Sequence, residues 1–161
     1  MTSREKNRAY RTRRALRIIR RAQPKTVEDA RDLPIGGLTF VDEGAFRKAY
    51  RIRGTNLLIK FPLNRLDDVC KIHTRMEVKK IRALREFPVI RKHIPPVYYF
   101  HSRDGVMVTR YYPKSKGLMG ATHQLISDMI KGFCGVILGD LCSDNLRTKP
   151  YGNLIFIDLG Y

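Results

Sequence analysis

The chain has 161 residues, of which 43% are hydrophobic and 29% charged, which suits one folded domain with its own core. No apolar run reaches the roughly 18 residues of a membrane span. The Arg-rich N-terminus also lacks the apolar segment of a secretory signal. Three cysteines without metal-ligand spacing fit a reducing compartment. We therefore expect a cytoplasmic protein.

The formal net charge of +17 predicts attraction to polyanions such as nucleic acids, nucleotides or acidic protein surfaces. Residues 1–25 contain ten Lys or Arg beside one acid, Glu5, which leaves +8 for the other 136 residues. We interpret this segment as a basic helical arm, with Ser3 as its expected N-cap and its end before Gln23. Two interpretations stay open: a helix that is solvated or packs on its own chain, and an arm that binds nucleic acid or an acidic partner. The arm residues expected to bind are Arg11, Arg13, Arg14, Arg17, Arg20 and Arg21.

The middle of the chain is predicted to form a sheet with one helix. Apolar and β-branched residues indicate strands over 38–41, 49–53, 57–61, 97–100 and 106–109. Gly54-Thr55-Asn56 and Arg103-Asp104-Gly105 are expected to form turns. Residues 66–86 predict a helix because apolar residues recur at three- and four-residue spacings along one stripe. The members of that stripe are Val69, Ile72, Met76, Ile81 and Leu84.

The remaining residues predict a smaller C-terminal part. Residues 113–117 indicate a linker, and 121–133 an apolar-striped helix. A loop over 138–146 and a strand over 154–158 follow. The predicted class is α+β, with a five-stranded antiparallel sheet and one intercalated helix before this smaller part.

The strongest local signal is the run Gly139-Asp140-Leu141-Cys142-Ser143-Asp144-Asn145, followed by a strand that ends in Asp158-Leu159-Gly160. It resembles the protein-kinase-like superfamily, whose catalytic loop has the form D-L-x-x-x-N and whose metal-binding motif is D-[FL]-G. The resemblance implies that Asn145 and Asp158 hold Mg²⁺ and the ATP phosphates, since phosphates need hard oxygen ligands around the metal. It also implies that Asp140 accepts the proton of the acceptor hydroxyl.

Two upstream residues fit the same family. Lys60 lies in an apolar strand, where the family has the phosphate-binding lysine of its V-A-I-K motif. Glu77 lies on the following helix, and the resemblance implies a salt bridge that directs Lys60 towards the α and β phosphates. Considered in isolation, Lys60 also fits an exposed edge-strand lysine and Glu77 an ordinary surface acid.

The loop before the second strand resembles the family's glycine-rich lid only in part. Gly44 matches the middle glycine, while Asp42 and Arg47 stand at the outer glycine positions. Gly139 precedes the expected catalytic aspartate. In this respect the loop resembles the RIO-type and aminoglycoside-phosphotransferase-like branches more than the H-R-D kinases. The sequence ends at Tyr161, soon after the Asp-Leu-Gly motif. The resemblance therefore implies a minimal kinase-like protein of the sort found in phages and mobile elements, with a homodimer as a candidate assembly that would shield the thinly covered site.

Two functions follow from these observations. The first is an ATP- and Mg²⁺-dependent phosphotransferase of the serine/threonine-kinase type, acting on another molecule or on itself. The second is a catalytically weak, nucleotide-binding pseudokinase module whose arm binds nucleic acid or an acidic protein. The expected divisions are an arm over 1–25, a kinase-like N-lobe over 26–112 and a minimal C-lobe over 113–161.

Overall fold

A computed structural model describes residues 1–113, 128, 131–132, 146–148 and 154–157. In chain order its elements are α1 (Ser3–Ala22), α2 (Val27–Arg31), β1 (Leu38–Glu43), β2 (Arg47–Ile52), β3 (Leu57–Pro62), α3 (Asp68–Arg85), α4 (Pro88–Arg91), β4 (Val97–His101), β5 (Val106–Arg110), β6 (Leu146–Thr148) and β7 (Leu154–Phe156). Two compact units are present. The first unit comprises Met1–Met76 and Val97–Tyr111, and the second unit comprises Glu77–Pro96 and Tyr112–Tyr161.

The first unit is built on a five-stranded sheet with the strand order β1-β2-β3-β5-β4, and all of its neighbouring strands are antiparallel. The predicted α+β class and five-stranded antiparallel sheet are confirmed. Strand β3 lies in the middle, so both of its edges are hydrogen-bonded. Register irregularities occur in the two outermost strands, β1 and β4, where such bulges are common.

One face of this sheet carries the core of the first unit. Tyr50, Ile59 and Val108 lie opposite one another on the three inner strands and share that face. The buried members of the core are Ala15, Ile19, Ala30, Ile35, Tyr50, Ile52, Leu57, Ile59, Phe61, Val106 and Val108. Ala15 and Ile19 belong to α1, so this helix supplies part of the core.

Helix α1 is capped at both ends. The N-cap is Thr2 rather than the predicted Ser3: the Thr2 N–H donates to Glu5 Oε2 at 2.7 Å, and the Glu5 N–H donates to Thr2 Oγ1 at 3.3 Å. This capping box requires an acid three residues after the cap, a condition that Thr2 meets and Ser3 does not. The helix ends at Ala22, as predicted, and Gln23 adopts a left-handed conformation with φ of 49°.

Helix α3 confirms the predicted helix over 66–86, but its buried face differs from the predicted stripe. Val69, Ile72 and Met76, three members of the predicted apolar stripe, are exposed. The buried side chains include two polar residues and recur mostly at three- and four-residue steps: Cys70, Thr74, Glu77, Val78, Ile81 and Leu84. The positions of apolar residues therefore predict the wrong buried face for the first half of the helix, because Thr74 and Glu77 are buried there.

The second unit contains a short helix that was not predicted. Pro88, expected only to break the chain, is the first residue of α4, where a missing N–H leaves no hydrogen bond unmade. The predicted last strand is present as β7, and all three of its residues are buried. The Phe156 N–H donates to the His93 carbonyl at 2.9 Å, while His93 Nδ1 lies 2.8 Å from the Leu154 carbonyl oxygen. His93 therefore contacts β7 twice along one edge, through its backbone carbonyl and through its ring.

Most of the predicted linker, second helix and catalytic loop lies outside the described residues. Asp128, Lys131 and Gly132 are helical, in agreement with the predicted helix over 121–133. Within the described ranges, no helix combines the length and the apolar character needed to cross a membrane.

Candidate functional site

Lys60 occupies the central strand of the sheet. It lies opposite Ala49 on β2 and Met107 on β5, and its side chain is only 6% exposed. Its neighbours Ile59 and Phe61 point into the core of the first unit, so Lys60 lies on the other face of the sheet. The alternative of an exposed edge-strand lysine is therefore wrong. An ammonium group at this depth requires polar or anionic partners, because burial removes most of its hydration.

Glu77 lies in α3 and is 2% exposed. The alternative of an ordinary surface acid is therefore wrong for this residue as well. A buried carboxylate, like a buried ammonium, is retained only when its charge is compensated or its oxygens are hydrogen-bonded. The salt bridge between Glu77 and Lys60 stays a prediction.

Gly44 lies in the connection between β1 and β2. Its N–H donates to the Arg47 carbonyl at 2.9 Å, which closes a tight loop at the position of the predicted lid. A Cβ built at Gly44 would meet no atom within 4 Å, so the space beside the loop backbone is open. The Phe46 ring stacks on His73 of α3, with ring centroids 3.6 Å apart, and the Phe46 carbonyl accepts the Leu63 N–H at 2.7 Å. The loop is thus anchored on one side while its tip is accessible to a ligand.

The other predicted site residues, Asp140, Asn145 and Asp158, lie outside the described residues. Within the part of the chain that is described, no group of three or more His, Cys, Asp or Glu side chains is arranged to hold a metal ion. The roles of Asp140 as base and of Asn145 and Asp158 as metal ligands therefore remain predictions.

The basic helix packs on its own chain, in agreement with one of the two interpretations of the arm. Arg20 Nη2 donates a hydrogen bond to the Tyr98 carbonyl at 2.9 Å, and the buried residues Ala15 and Ile19 hold α1 against the sheet. All six arginines named for the arm are nevertheless exposed. Docking on the sheet therefore leaves their guanidinium groups accessible to an anion.

A cavity of about 300 Å³ lies between α1 and the turn that follows β2. Its charged lining residues are Arg11 and Arg14 of α1 and Arg53 at the turn. Arg53 was not predicted as a site residue because it is separated from the arm by about thirty residues of chain. The available signal was the combination of Gly36-Gly37 and Gly54, since glycines of this kind permit close backbone approaches.

Comparisons of the chain with protein-family models and with curated proteins found no match.

Proposed function

We propose that this chain is a kinase-like phosphotransferase that uses ATP and Mg²⁺ to transfer a phosphoryl group to a hydroxyl. The observation that carries the proposal is the burial of Lys60 in the central strand of a five-stranded antiparallel sheet. The buried position restricts the ammonium group to a narrow set of directions and strengthens its interaction with anions. This is the property that a lysine needs to hold the phosphates of a nucleotide.

Two further observations support the proposal. Glu77 is buried on α3, the helix that follows the lysine strand, so a carboxylate lies on the element where a kinase-like site requires one. The tip of the Gly44 loop has no side chain and open space beside it, which suits a lid whose backbone approaches phosphate groups. In the proposal, Glu77 is a positioning residue that orients Lys60.

The remaining roles rest on the resemblance. Asp140 would accept the proton of the attacking hydroxyl, and Asn145 and Asp158 would hold the metal with their side-chain oxygens. Bound Mg²⁺ supplies neutralisation of the phosphate charge. The acceptor in this proposal is a serine or threonine hydroxyl, either on another protein or on this chain.

Thermal unfolding with and without ATP and Mg²⁺, followed by transfer of radiolabelled γ-phosphate, tests the proposal. We expect ATP with Mg²⁺ to raise the melting temperature, because a ligand that binds only the folded state stabilises it. Lys60→Met should abolish label transfer and reduce this shift. Lys79→Met is the matched control, because Lys79 is an exposed lysine of α3. Wild-type protein that neither shifts with ATP nor transfers label would contradict the proposal.

The second candidate function is a nucleotide-binding pseudokinase module that binds a polyanion through α1. The observation that favours it is the exposure of all six arm arginines on a helix that is held firmly by the sheet. A rigid row of guanidinium groups binds phosphates with a smaller loss of side-chain and backbone entropy than a disordered arm would. ATP binding without label transfer, combined with tight binding of nucleic acid, would favour this function over the first.

A further inference from the structure

The cavity beside α1 brings together arginines from two separate parts of the chain. Arg11 and Arg14 are three positions apart and therefore lie on the same side of the helix. Arg53 enters from the end of β2, and the segment Pro34–Gly36 forms the remaining wall. Three guanidinium groups thus surround one space of about 300 Å³.

Different parts of the chain approach one another closely at the walls of this cavity. Gly54 has a φ of +71°, and a Cβ there would lie 3.0 Å from Arg11 Nη1. Gly36 has a φ of +97°, and a Cβ there would lie 2.9 Å from the Arg53 carbonyl oxygen. The Asn56 N–H donates to the hydroxyl of Thr12 at 3.4 Å, which connects the turn directly to α1. The turn after β2 and α1 are therefore in direct contact beside the cavity.

In the part of the chain that is described, no carboxylate compensates the positive charge around the cavity. Among the described residues, no carboxylate lies within salt-bridge distance of Arg11, Arg14 or Arg53. Arg53 Nε donates to the Thr39 hydroxyl at 3.0 Å, which orients its guanidinium without neutralising it. Like charges gathered in this way repel one another, so an anion between them relieves the repulsion. Guanidinium groups match phosphate oxygens especially well, because their planar donors form paired hydrogen bonds.

The cavity continues along α1 rather than closing. A second space of about 240 Å³ is lined by Arg4, Asn7 and Arg8 and shares Arg11 and Gly54 with the first. At 1.5 Å of rise per residue, the row from Arg4 to Arg14 extends over about 15 Å. This length exceeds a single phosphate group and indicates an extended polyanion. We call this surface the arginine trough and define it by Arg4, Arg8, Arg11, Arg14 and Arg53.

We propose that the arginine trough binds the backbone of a nucleic-acid strand, and that Arg11, Arg14 and Arg53 hold one of its phosphates in the larger cavity. The proposal deepens the second candidate function and is independent of the phosphotransferase. It differs from binding by the arm as a whole in two respects. It adds Arg53, which belongs to the sheet, and it gives no direct role to the arm residues Arg13 and Arg17.

The test measures fluorescence polarisation of a labelled single-stranded DNA oligonucleotide with the full chain at several salt concentrations. The site variant carries Arg11→Gln, Arg14→Gln and Arg53→Gln. The matched control carries Arg13→Gln, Arg17→Gln and Arg21→Gln, which removes the same amount of charge, in this case all from α1 and outside the lining of the two cavities. Circular dichroism and thermal unfolding check that both variants are folded.

We expect the site variant to bind at least about tenfold more weakly than wild type, with the slope of log affinity against log salt reduced by about 2. The control should lose several-fold less affinity, because its charges act only at a distance. If the site variant fails to fold, Arg14→Gln is measured instead. Arg14 makes no hydrogen bond or ion pair among the described residues, and the loss with Arg14→Gln should exceed that with Arg13→Gln.

Three results would overturn the proposal. Equal losses in the two triple variants would show that diffuse charge on α1 binds the strand, which leaves the second candidate function standing without this site. Displacement of the oligonucleotide by inorganic tripolyphosphate at equal phosphate concentration would identify a small polyphosphate as the ligand. Absence of DNA binding by the wild-type chain would remove both the site and the second candidate function.

Discussion

The guanidinium of Arg20 and the backbone carbonyl of Tyr98 are joined by a hydrogen bond of 2.9 Å, although the two residues are 78 positions apart in the chain. This bond ties α1 to β4, the outermost strand on one side of the sheet. Ile19, one position before Arg20, is fully buried in the core. The most basic segment of the protein is therefore also a structural part of its first unit.

The packing of α1 predicts a large effect of Ile19→Ala on stability. Removing this buried side chain should lower the free energy of unfolding by about 2 to 5 kcal/mol, because apolar contacts are lost and a cavity remains. Urea denaturation monitored by circular dichroism measures the change. Tyr10→Ala is the control, since Tyr10 is 59% exposed on the same helix and should change stability little. Similar small losses in both variants would contradict the docked position of α1.

The same packing changes the expected result of removing residues 1–22. From the sequence, this deletion is expected to remove polyanion binding and leave the ATP site largely unaffected. With Ala15 and Ile19 in the core, we instead expect the shortened chain to expose apolar surface and lose its cooperative unfolding transition. Thermal unfolding of the two proteins side by side measures this. A truncated protein with an unchanged melting temperature would show that α1 is dispensable.

The proposed Lys60–Glu77 pair predicts coupled effects on ATP binding. Lys60→Met and Glu77→Gln should each weaken binding, and the double variant should be less impaired than the sum of the two, with a coupling energy of about 0.5 to 3 kcal/mol. Isothermal titration with ATP and Mg²⁺ gives the four affinities. Glu86→Gln, which alters an exposed acid just after α3, serves as the control for charge alone. Strictly additive losses would indicate that the two residues act independently.

The predicted metal ligand Asp158 provides a separate test of the phosphotransferase. Asp158→Asn removes a negative charge at nearly constant shape, so the fold should persist while Mg²⁺-dependent stabilisation by ATP disappears. Differential scanning fluorimetry with ATP, in Mg²⁺ and in EDTA, measures the effect. The unliganded melting temperature serves as the control. An unaltered response to ATP and Mg²⁺ would remove Asp158 from the site.

Two glycines predict different effects of substitution by alanine. Gly36→Ala should lower the free energy of unfolding by at least about 1 to 2 kcal/mol, because φ is +97° and the new Cβ would lie 2.9 Å from the Arg53 carbonyl oxygen. Gly44→Ala should change stability by less than about 0.5 kcal/mol, because space there is open. If the loop covers the nucleotide, Gly44→Ala should still weaken ATP binding. Chemical denaturation and ATP titration of both variants separate the two effects.

The carboxylate of Asp29 predicts a pH dependence of stability. One of its oxygens accepts the Lys25 N–H at 2.9 Å and the Thr26 N–H at 3.0 Å. The bond from the Lys25 backbone contributes most to holding the pKa of Asp29 below its usual value, and the bond from Thr26 adds to it. A lowered pKa in the folded state means stabilisation that is present above the ordinary pKa of aspartate and lost as the pH falls through the lowered pKa. Asp29→Asn should therefore lower stability near pH 7, and the difference from wild type should shrink in acid.

Urea denaturation over a series of pH values measures this difference. The expected size at neutral pH is about 0.3 to 1 kcal/mol, typical of an acid in the first turn of an exposed helix. Asp32→Asn is the control, because Asp32 lies at the other end of α2 and its carboxylate accepts no hydrogen bond among the described residues. A pH-independent difference would show that the charge of Asp29 is not involved.

Much of the fold could be predicted from local patterns. The strands of the sheet follow from runs of β-branched and apolar residues, and the turns at 54–56 and 103–105 from glycines that adopt positive φ, +71° at Gly54 and +65° at Gly105. The length of α3 follows from its spacing of apolar residues, but its buried face does not. Glu77 and Thr74 of α3 are buried, while Ile72 and Met76 are exposed. Which face of the helix is buried depends on the elements that pack against it.

The residues of the candidate site could also be predicted only in part. Lys60 and Glu77 could be selected because a charged residue within an apolar strand or beside an apolar stripe is conspicuous in the sequence, and the structure buries both. Arg53 could not be selected from the sequence. Its place in the lining of the cavity depends on the approach of α1, which local sequence patterns do not encode. The glycines Gly36 and Gly54 give the available indication, since Gly36 approaches the Arg53 backbone and Gly54 accommodates the Arg11 side chain.

The contact between Arg20 and Tyr98 has a consequence for the newly made chain. A ribosome adds about 5 to 20 residues per second, so α1 is complete roughly 4 to 16 s before its partner strand β4 exists. During that interval the core that Ile19 enters still lacks Val106 and Val108 of β5, and an isolated helix of 20 residues is only marginally stable. The apolar face of the nascent basic segment is therefore fully covered only late in synthesis, after the last strands of the sheet have been made.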